Sequence, residues 1–167
     1  SDYGKGVLSD PVIQSVIQRA REHGKPVIVD PKGQNFGRYS GADFVTPNSA
    51  ELALASGKAL NDEQSIIRAA RHLLVEHEIH SFLVTRSQEG MSLVDSDHVN
   101  HIPAQVQEVF DVSGAGDTVV AVFAAAIAVG LDSKEAANLA NIAAGLVVGK
   151  LGTAAVSVDD LHHAVLH

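Results

Sequence analysis

The chain has 167 residues, 46% of them hydrophobic and 19% charged, a globular composition long enough to bury a sizeable core in one domain. Its 12 Lys+Arg stand against 20 Asp+Glu, a formal net charge of −8, and no basic cluster is present to neutralise phosphates, which argues against a nucleic-acid-binding surface. No apolar run reaches the roughly 18 residues of a membrane span, no signal peptide opens the chain, and the lack of cysteine excludes disulfides and thiolate metal sites and fits a reducing cytoplasm, the expected location.

The first residues, Ser1-Asp2-Tyr3-Gly4-Lys5-Gly6, are rich in glycine and charge and lack an initiator Met. They read as a loop that follows a strand. Asp10-Pro11 opens a helix, with Asp10 as N-cap and Pro11 at the first helical position. Val12, Ile13, Val16, Ile17 and Ala20 form its apolar stripe, and Gly24 stops it. Pro26 to Asp30 reads as a short buried strand that ends in a carboxylate. A loop follows through Gly41, then a strand from Asp43 to Thr46 that Pro47 ends. Asn48 to Ala55 is a short helix stopped by Gly57, and Asp62 to His77 a longer one with Ile66, Ile67, Ala70, Leu73 and Leu74 at helical spacing. His80 to Thr85 is a strand. Met91–Asp95 and His98–Ile102 read as a hairpin around Ser96-Asp97. Two apolar helices follow, about Gly116 to Val129 and Ser133 to Gly149, with Gly130 stopping the first and Ser133 capping the second. The run from Val119 to Val129 reads as core. A strand near Ala154–Val156 and a helix from Val158 close the pattern. Alternating strands and helices imply an α/β chain with a largely parallel sheet flanked by helices.

One segment carries chemistry: Asp111-Val112-Ser113-Gly114-Ala115-Gly116-Asp117, running directly into an apolar helix. Its small residues let the backbone turn tightly and present successive N–H groups at a helix N-terminus, where the dipole favours an anion. Asp117 falls in the first turn beside that anion site. A carboxylate there suits a general base that deprotonates a hydroxyl as it attacks phosphorus. The plain alternative is a turn followed by a first-turn helix charge.

Asp111 to Asp117 resembles the C-terminal signature of the ribokinase-like (PfkB) carbohydrate kinases. Four further segments stand in that family's order: Ser1 to Leu8, Asp30-Pro31-Lys32-Gly33, Thr46-Pro47-Asn48-Ser49-Ala50-Glu51, and Thr85-Arg86-Ser87-Gln88-Glu89-Gly90-Met91. Within the family they look most like the kinase domains of the bacterial heptose 7-phosphate kinase/adenylyltransferases, which supply ADP-heptose for the lipopolysaccharide core. The resemblance implies a ribokinase-like fold, Asp117 as catalytic base, and Gly114, Ala115 and Gly116 as an anion hole for the transferring phosphoryl group. It implies an ATP-dependent phosphotransferase acting on the anomeric hydroxyl of a phosphorylated sugar. Mg²⁺, and a monovalent cation near the signature, would accompany ATP. A homodimer is among the arrangements it suggests.

Each segment also has its own physical case. Asp30 ends a strand, where ligands bind in open α/β sheets. Lys32 reads as a point charge for a phosphate or, equally, as a solvated loop lysine. Asn48 and Glu51 share one helix face, so an amide and a carboxylate would hold Mg²⁺ through water near nucleotide phosphates; alone, Asn48 reads as a plain N-cap. Ser49, Ala50, Thr85 and Arg86 complete the nucleotide-binding candidates by resemblance, Arg86 reading equally as a salt-bridge partner. Many ribokinase-like chains carry Gly where Ser87 stands. Asn141 flanks adenine in one reading and is a buried or capping amide in the other, and Ala143, Ala144 and Gly145 would admit either a flat ring or a packed neighbour. The nine histidines show no metal-ligand spacing with carboxylates.

By resemblance such a kinase domain is about twice this length. Residues 1–167 are therefore expected to be its C-terminal half, truncated on the N-terminal side, holding the nucleotide site and base but little of the sugar site and poorly active alone. The alternatives are a ribokinase-like kinase for another phosphorylated sugar, or a non-catalytic nucleotide-binding module.

Overall fold

A computed structural model describes residues 1–105, 111–150, 152 and 154–166. Five strands lie in chain order along one sheet: β1 (Ile28–Val29), β2 (Phe44–Val45), β3 (Ser81–Thr85), β4 (Met91–Val94) and β5 (Val99–Ile102). The first three are parallel, with Ile28 opposite Phe44 and Phe44 opposite Ser81. The links through 86–90 and 95–98 are too short for a parallel crossover, so β3, β4 and β5 run antiparallel. The sheet is thus mixed, parallel on one side and a meander on the other, where the sequence pattern suggested a largely parallel one.

The chain forms two compact units, residues 1–86 with 92–100, and residues 87–91 with 101–167. In the first, helices α1 (Asp10–Glu22), α2 (Ser49–Ser56) and α3 (Glu63–His77) cover the parallel strands. The N-cap of α1 is Ser9, one residue earlier than expected, with Asp10 and Pro11 both inside the first turn. Of its apolar stripe only Ile13 and Ile17 are buried; Val12 and Val16 face solvent. Asp62 and Ser65 close a reciprocal capping box on α3, which buries Ile66, Ala69, Ala70, Leu73 and Leu74. Phe36 sits at the centre of this core, its ring 6.1 Å from Tyr39 and 6.0 Å from Phe82. Burying each such side chain contributes about 1.5–3 kcal/mol.

The second unit contains α4 (Ala115–Ala128), α5 (Ser133–Val148) and α6 (Val158–Leu166). Helices α4 and α5 pack closely, because α5 turns Ala136, Ala137, Ala140 and Ala143 inward and lets a backbone approach. The run 119–129 is core on one face only: Val119, Phe123 and Ala126 are buried, whereas Val129 is 77% exposed. Asp132, not Ser133, caps α5, accepting the Glu135 N–H at 2.8 Å.

No strand forms at 154–156. Lys150 Nζ instead reaches the Ala155 carbonyl at 3.3 Å and Asp160 Oδ2 at 3.0 Å, and Asp160 also accepts the Ser157 N–H at 3.1 Å. The Lys150 contact, then the Ser157 bonds, pull the Asp160 carboxyl from 3.8 to about 2. A carboxyl depressed on folding stabilises above its unfolded pKa and loses that contribution as pH falls through the folded one. Asp160→Asn is therefore expected to lower stability at neutral pH, with the wild-type and variant acid-unfolding curves converging below pH about 2.

Gly90 turns the chain into β4 with φ +84°, and a Cβ there would strike the backbone of Ile102, Pro103 and Ala104. Gly130 has a similar φ, +94°, but open space around it. Gly90→Ala is expected to cost at least about 3 kcal/mol and Gly130→Ala about 1–2 kcal/mol by denaturant titration, because only the first adds a backbone collision to the left-handed penalty.

Candidate functional site

In the first unit, the parallel register carries the candidate residues to one edge. Pro47 ends β2 after Thr46, and Asn48 bridges in parallel to Thr85 at the end of β3. The Thr85 N–H donates to the Pro47 carbonyl at 3.0 Å, and Ser49 Oγ donates to the Thr85 carbonyl at 3.4 Å. Asn48 is the N-cap of α2. Its Oδ1 accepts the Glu51 N–H at 2.9 Å, and its own N–H donates to Glu51 Oε2 at 3.0 Å. Asn48 thus has the capping role that its residue type alone suggests. Ala50 follows in the first turn.

Lys32 comes to the same edge from the loop after β1. Its Nζ lies 3.5 Å from Glu51 Oε1, with the Lys32 side chain 57% exposed and that of Glu51 19%. At this distance and exposure the pair is weak. Arg86 is pinned: Nη1 donates to Ser92 Oγ at 2.9 Å and pairs with Glu63 Oε2 at 3.2 Å, and only 9% of the side chain is exposed. The ion-pair reading of Arg86 is therefore the one realised here.

In the second unit, Gly114 caps α4 with φ +80°, and Asp117 stands exposed in the first turn. Asp111 Oδ1 accepts the Ser113 N–H at 2.8 Å, which holds the Asp111 carboxyl below the usual carboxylate range. Thr118 Oγ1 donates to the Gly114 carbonyl at 2.9 Å. The Ala115 N–H turns back to the Val112 carbonyl at 3.2 Å, so this anion-hole candidate is already engaged within the loop. Asn141 is buried and donates through Nδ2 to the Pro103 carbonyl at 2.8 Å. A Cβ on Gly145 would come within 3.0 Å of Gln105. The small residues of α5 thus admit the segment 103–105 of this same chain.

The pfkB family carbohydrate kinase pattern matches residues 4–160. The chain belongs to the pfkB family. It is 54% identical over 162 residues to the Bifunctional protein HldE of Paramagnetospirillum magneticum, covering 96% of this chain and 33% of that protein. It is 47% identical over 169 residues to the HldE of Syntrophotalea carbinolica, covering 100% of this chain and 34% of that protein. The chain spans about a third of the length of the curated relatives it matches. Among solved structures it resembles an Arabidopsis thaliana ribokinase complexed with ribose and ATP, with a TM-score of 0.85, 24% identity and coverage of 94% and 53% of the two chains. It also resembles the Escherichia coli phosphofructokinase-2 in complex with potassium, at a TM-score of 0.83 and 20% identity, covering 95% and 52%. These two similarities establish the ribokinase-like α/β fold.

The backbone at position 87 favours glycine over the Ser this chain carries. Ser87 has φ +52°, a left-handed conformation that glycine adopts freely. Ser87→Gly is expected to raise stability by about 1 kcal/mol and Ser87→Val to lower it, read from urea midpoints.

Three residues outside the sequence-derived set underlie Lys32. Tyr39 accepts the Lys32 N–H at 3.0 Å and donates its hydroxyl to Asp2 Oδ2 at 2.8 Å. Arg38 Nη1 lies 3.2 Å from the same Asp2 oxygen. Arg38 Nε is 2.9 Å from Asp10 Oδ1, an ion contact in which the N–H is misaligned for a hydrogen bond. Burial, then the bond to Asp2, pushes the Tyr39 hydroxyl up to about 12. Burial also opposes the Asp2 charge, but Gly4 N–H, Tyr39 and Arg38 outweigh it and hold that carboxyl below its ordinary value. The proton therefore stays on Tyr39 and the charge on Asp2. No local pattern marks these residues, which meet across more than thirty positions.

Proposed function

We propose that the chain is the nucleotide-binding, catalytic-base half of a kinase domain. It transfers the γ-phosphoryl group of ATP to the anomeric hydroxyl of D-glycero-β-D-manno-heptose 7-phosphate, giving the 1,7-bisphosphate on the way to ADP-heptose. The observation that carries this reading is the identity of about half its residues to HldE proteins over nearly its whole length together with a signature loop that places Asp117 in the first turn of α4 behind Gly114. The division into halves is supported by the coverage of about half of each ribokinase-fold chain. In this reading the rest of the sugar site comes from outside these residues, and the reaction takes place in the cytoplasm, where ATP is found.

Asp117 takes the proton of the anomeric hydroxyl. The hydroxyl oxygen bonds to the γ-phosphorus, the bond from that phosphorus to the β–γ bridging oxygen breaks, and ADP leaves. Of the anion-hole candidates, Gly114 and Gly116 offer their N–H groups, with the positive end of α4, to the charge that spreads over the transferring oxygens, whereas the Ala115 N–H would first have to leave the Val112 carbonyl. First-turn N–H groups have no intrahelical acceptor, which leaves them suited to this role.

The Asn48–Glu51 pair fits Mg²⁺ in one specific way. The capping box uses Asn48 Oδ1 and Glu51 Oε2, while Glu51 Oε1 faces Lys32. Among the described residues no group of three or more His, Asp or Glu gathers as a metal cage. One carboxylate oxygen acting through water, beside substrate phosphates, is the usual protein share of a nucleotide-bound Mg²⁺. Bound there, Mg²⁺ would neutralise phosphate charge. Asn48, Ser49, Ala50, Glu51 and Thr85 would line the nucleotide phosphates and Lys32 would meet a phosphate; Arg86 and Asn141 are held by Glu63 and Ser92 and by Pro103 instead. A monovalent cation near the signature is part of the same proposal, as is a homodimer.

Calorimetric titration of the folded chain with MgATP tests the nucleotide half of this reading. Saturable binding is expected, abolished by Gly114→Val because a β-branched residue cannot hold φ +80°. In the natural protein that carries these residues, Asp117→Asn is expected to lower turnover with the heptose 7-phosphate by at least about 10²-fold while ATP affinity holds. Unchanged turnover would remove Asp117 as base, and turnover absent from the wild type would point to a nucleotide-binding module.

A further inference from the structure

We propose that Asp2 and Tyr39 are positioning residues for Lys32: a buried dyad whose purpose is to aim the Lys32 ammonium at a substrate phosphate on the Glu51 edge. The proposal rests on the phosphate role assigned to Lys32 above and identifies what holds that lysine.

The geometry fixes Lys32 at two points and leaves its tip in solvent. Its N–H is held by Tyr39 Oη at 3.0 Å. Its stem crosses Gly4, where a Cβ would stand 3.8 Å from Lys32 Cγ. Gly4 is held in turn, its N–H donating to Asp2 Oδ1 at 2.8 Å with φ +63°. The Asp2 N–H donates to the Asp30 carbonyl at 2.9 Å, joining the segment 2–4 to the end of β1. Asp2 is 4% exposed and Tyr39 1%. The Lys32 ammonium, by contrast, is largely exposed and 3.5 Å from Glu51.

Stability alone does not account for this arrangement. A buried carboxylate is expensive to desolvate, and replacing a buried ionic set by packed apolar groups is often neutral or stabilising. Tyr39 already packs its ring on Phe36, so a phenylalanine would keep that contact. The hydroxyl adds only its bonds to Lys32 and Asp2, and both constrain where the lysine begins. A lysine has four rotatable side-chain bonds, and fixing its origin and stem reduces what must be ordered when a phosphate binds.

The test is a double-mutant cycle on the folded chain, with MgATP affinity read by calorimetry and stability by thermal unfolding. Lys32→Ala and Tyr39→Phe are each expected to weaken MgATP by about tenfold, the size of one bond to a charged group. In the Lys32→Ala background Tyr39→Phe is expected to have no further effect on affinity, although its effect on Tm persists. A merely structural tyrosine would change Tm and leave affinity unmoved, or would weaken binding equally in both backgrounds; either result overturns the proposal. So does wild-type affinity in Lys32→Ala. If the folded wild type binds no MgATP, the phosphate role of Lys32 falls, and that failure is distinct from a wild type that binds while Tyr39→Phe is silent. Should Tyr39→Phe not fold, Asp2→Asn takes its place in the cycle. If neither folds, the dyad is a folding requirement and the positioning role is rejected.

Discussion

Three short parallel strands that end on one edge are the constraint from which the first unit's chemistry follows. Parallel pairing requires every strand to deliver its C-terminal residue to the same side. β1 and β2 are only two residues long, so the ladder alone is a weak clamp, and the loops beyond it must be fixed by other means. Thr85 donates its N–H to the Pro47 carbonyl past the end of the ladder, Asn48 and Glu51 cap each other, and the Asp2 N–H donates to the Asp30 carbonyl. Each is a polar interaction at a strand end. Together they turn a short sheet edge into a surface with fixed carbonyls, one carboxylate and one solvent-exposed ammonium.

That surface is electrically balanced in a way that favours exchange. Glu51 gives one oxygen to its own helix cap and the other to a long, solvent-screened contact with Lys32. The first contact holds the carboxylate in place; the second is worth little in water. A phosphate arriving with Mg²⁺ would compete easily for both partners, the anion taking the lysine and the cation the carboxylate. A short, buried Lys32–Glu51 pair would have opposed that exchange by several kcal/mol on losing either partner. At 3.5 Å and partly exposed, the pair would yield more readily.

Where the sequence could be read, the determinant was local. The Asn48-Ser49-Ala50-Glu51 box needs only four consecutive residues, and the residue order before α4 sets both the Gly114 turn and the place of Asp117. Errors came where a neighbour competed. Asp132 sits one residue before Ser133 and its carboxylate makes the stronger cap. Val129 continues the apolar run but lies past the turn that faces α5. The segment 154–156 looks like a strand, yet Lys150 occupies the Ala155 carbonyl that a ladder would need. The Asp2–Tyr39–Lys32 network was invisible for a different reason: it joins a loop before α1 to the 3₁₀ turn at Phe36–Tyr39, and no periodicity encodes such a meeting.

Glycines separate what the fold demands from what a ligand would demand. Gly90 is required by the fold, since both its φ and the backbone around it exclude a side chain. Gly114 is required by φ alone. Gly116 meets neither condition: it is helical, its φ is not positive, and a Cβ there would touch nothing within 4 Å. Glycine in a helix costs about 1 kcal/mol relative to alanine, so the protein gives up stability at this position without a return inside its own fold. At the N-terminus of α4, one residue before Asp117, a bare backbone would suit a group approaching the N–H donors closely, as the proposed function requires. The fold accounts for Gly90 and Gly114; at Gly116 the bare backbone is what the proposed phosphoryl contact would use.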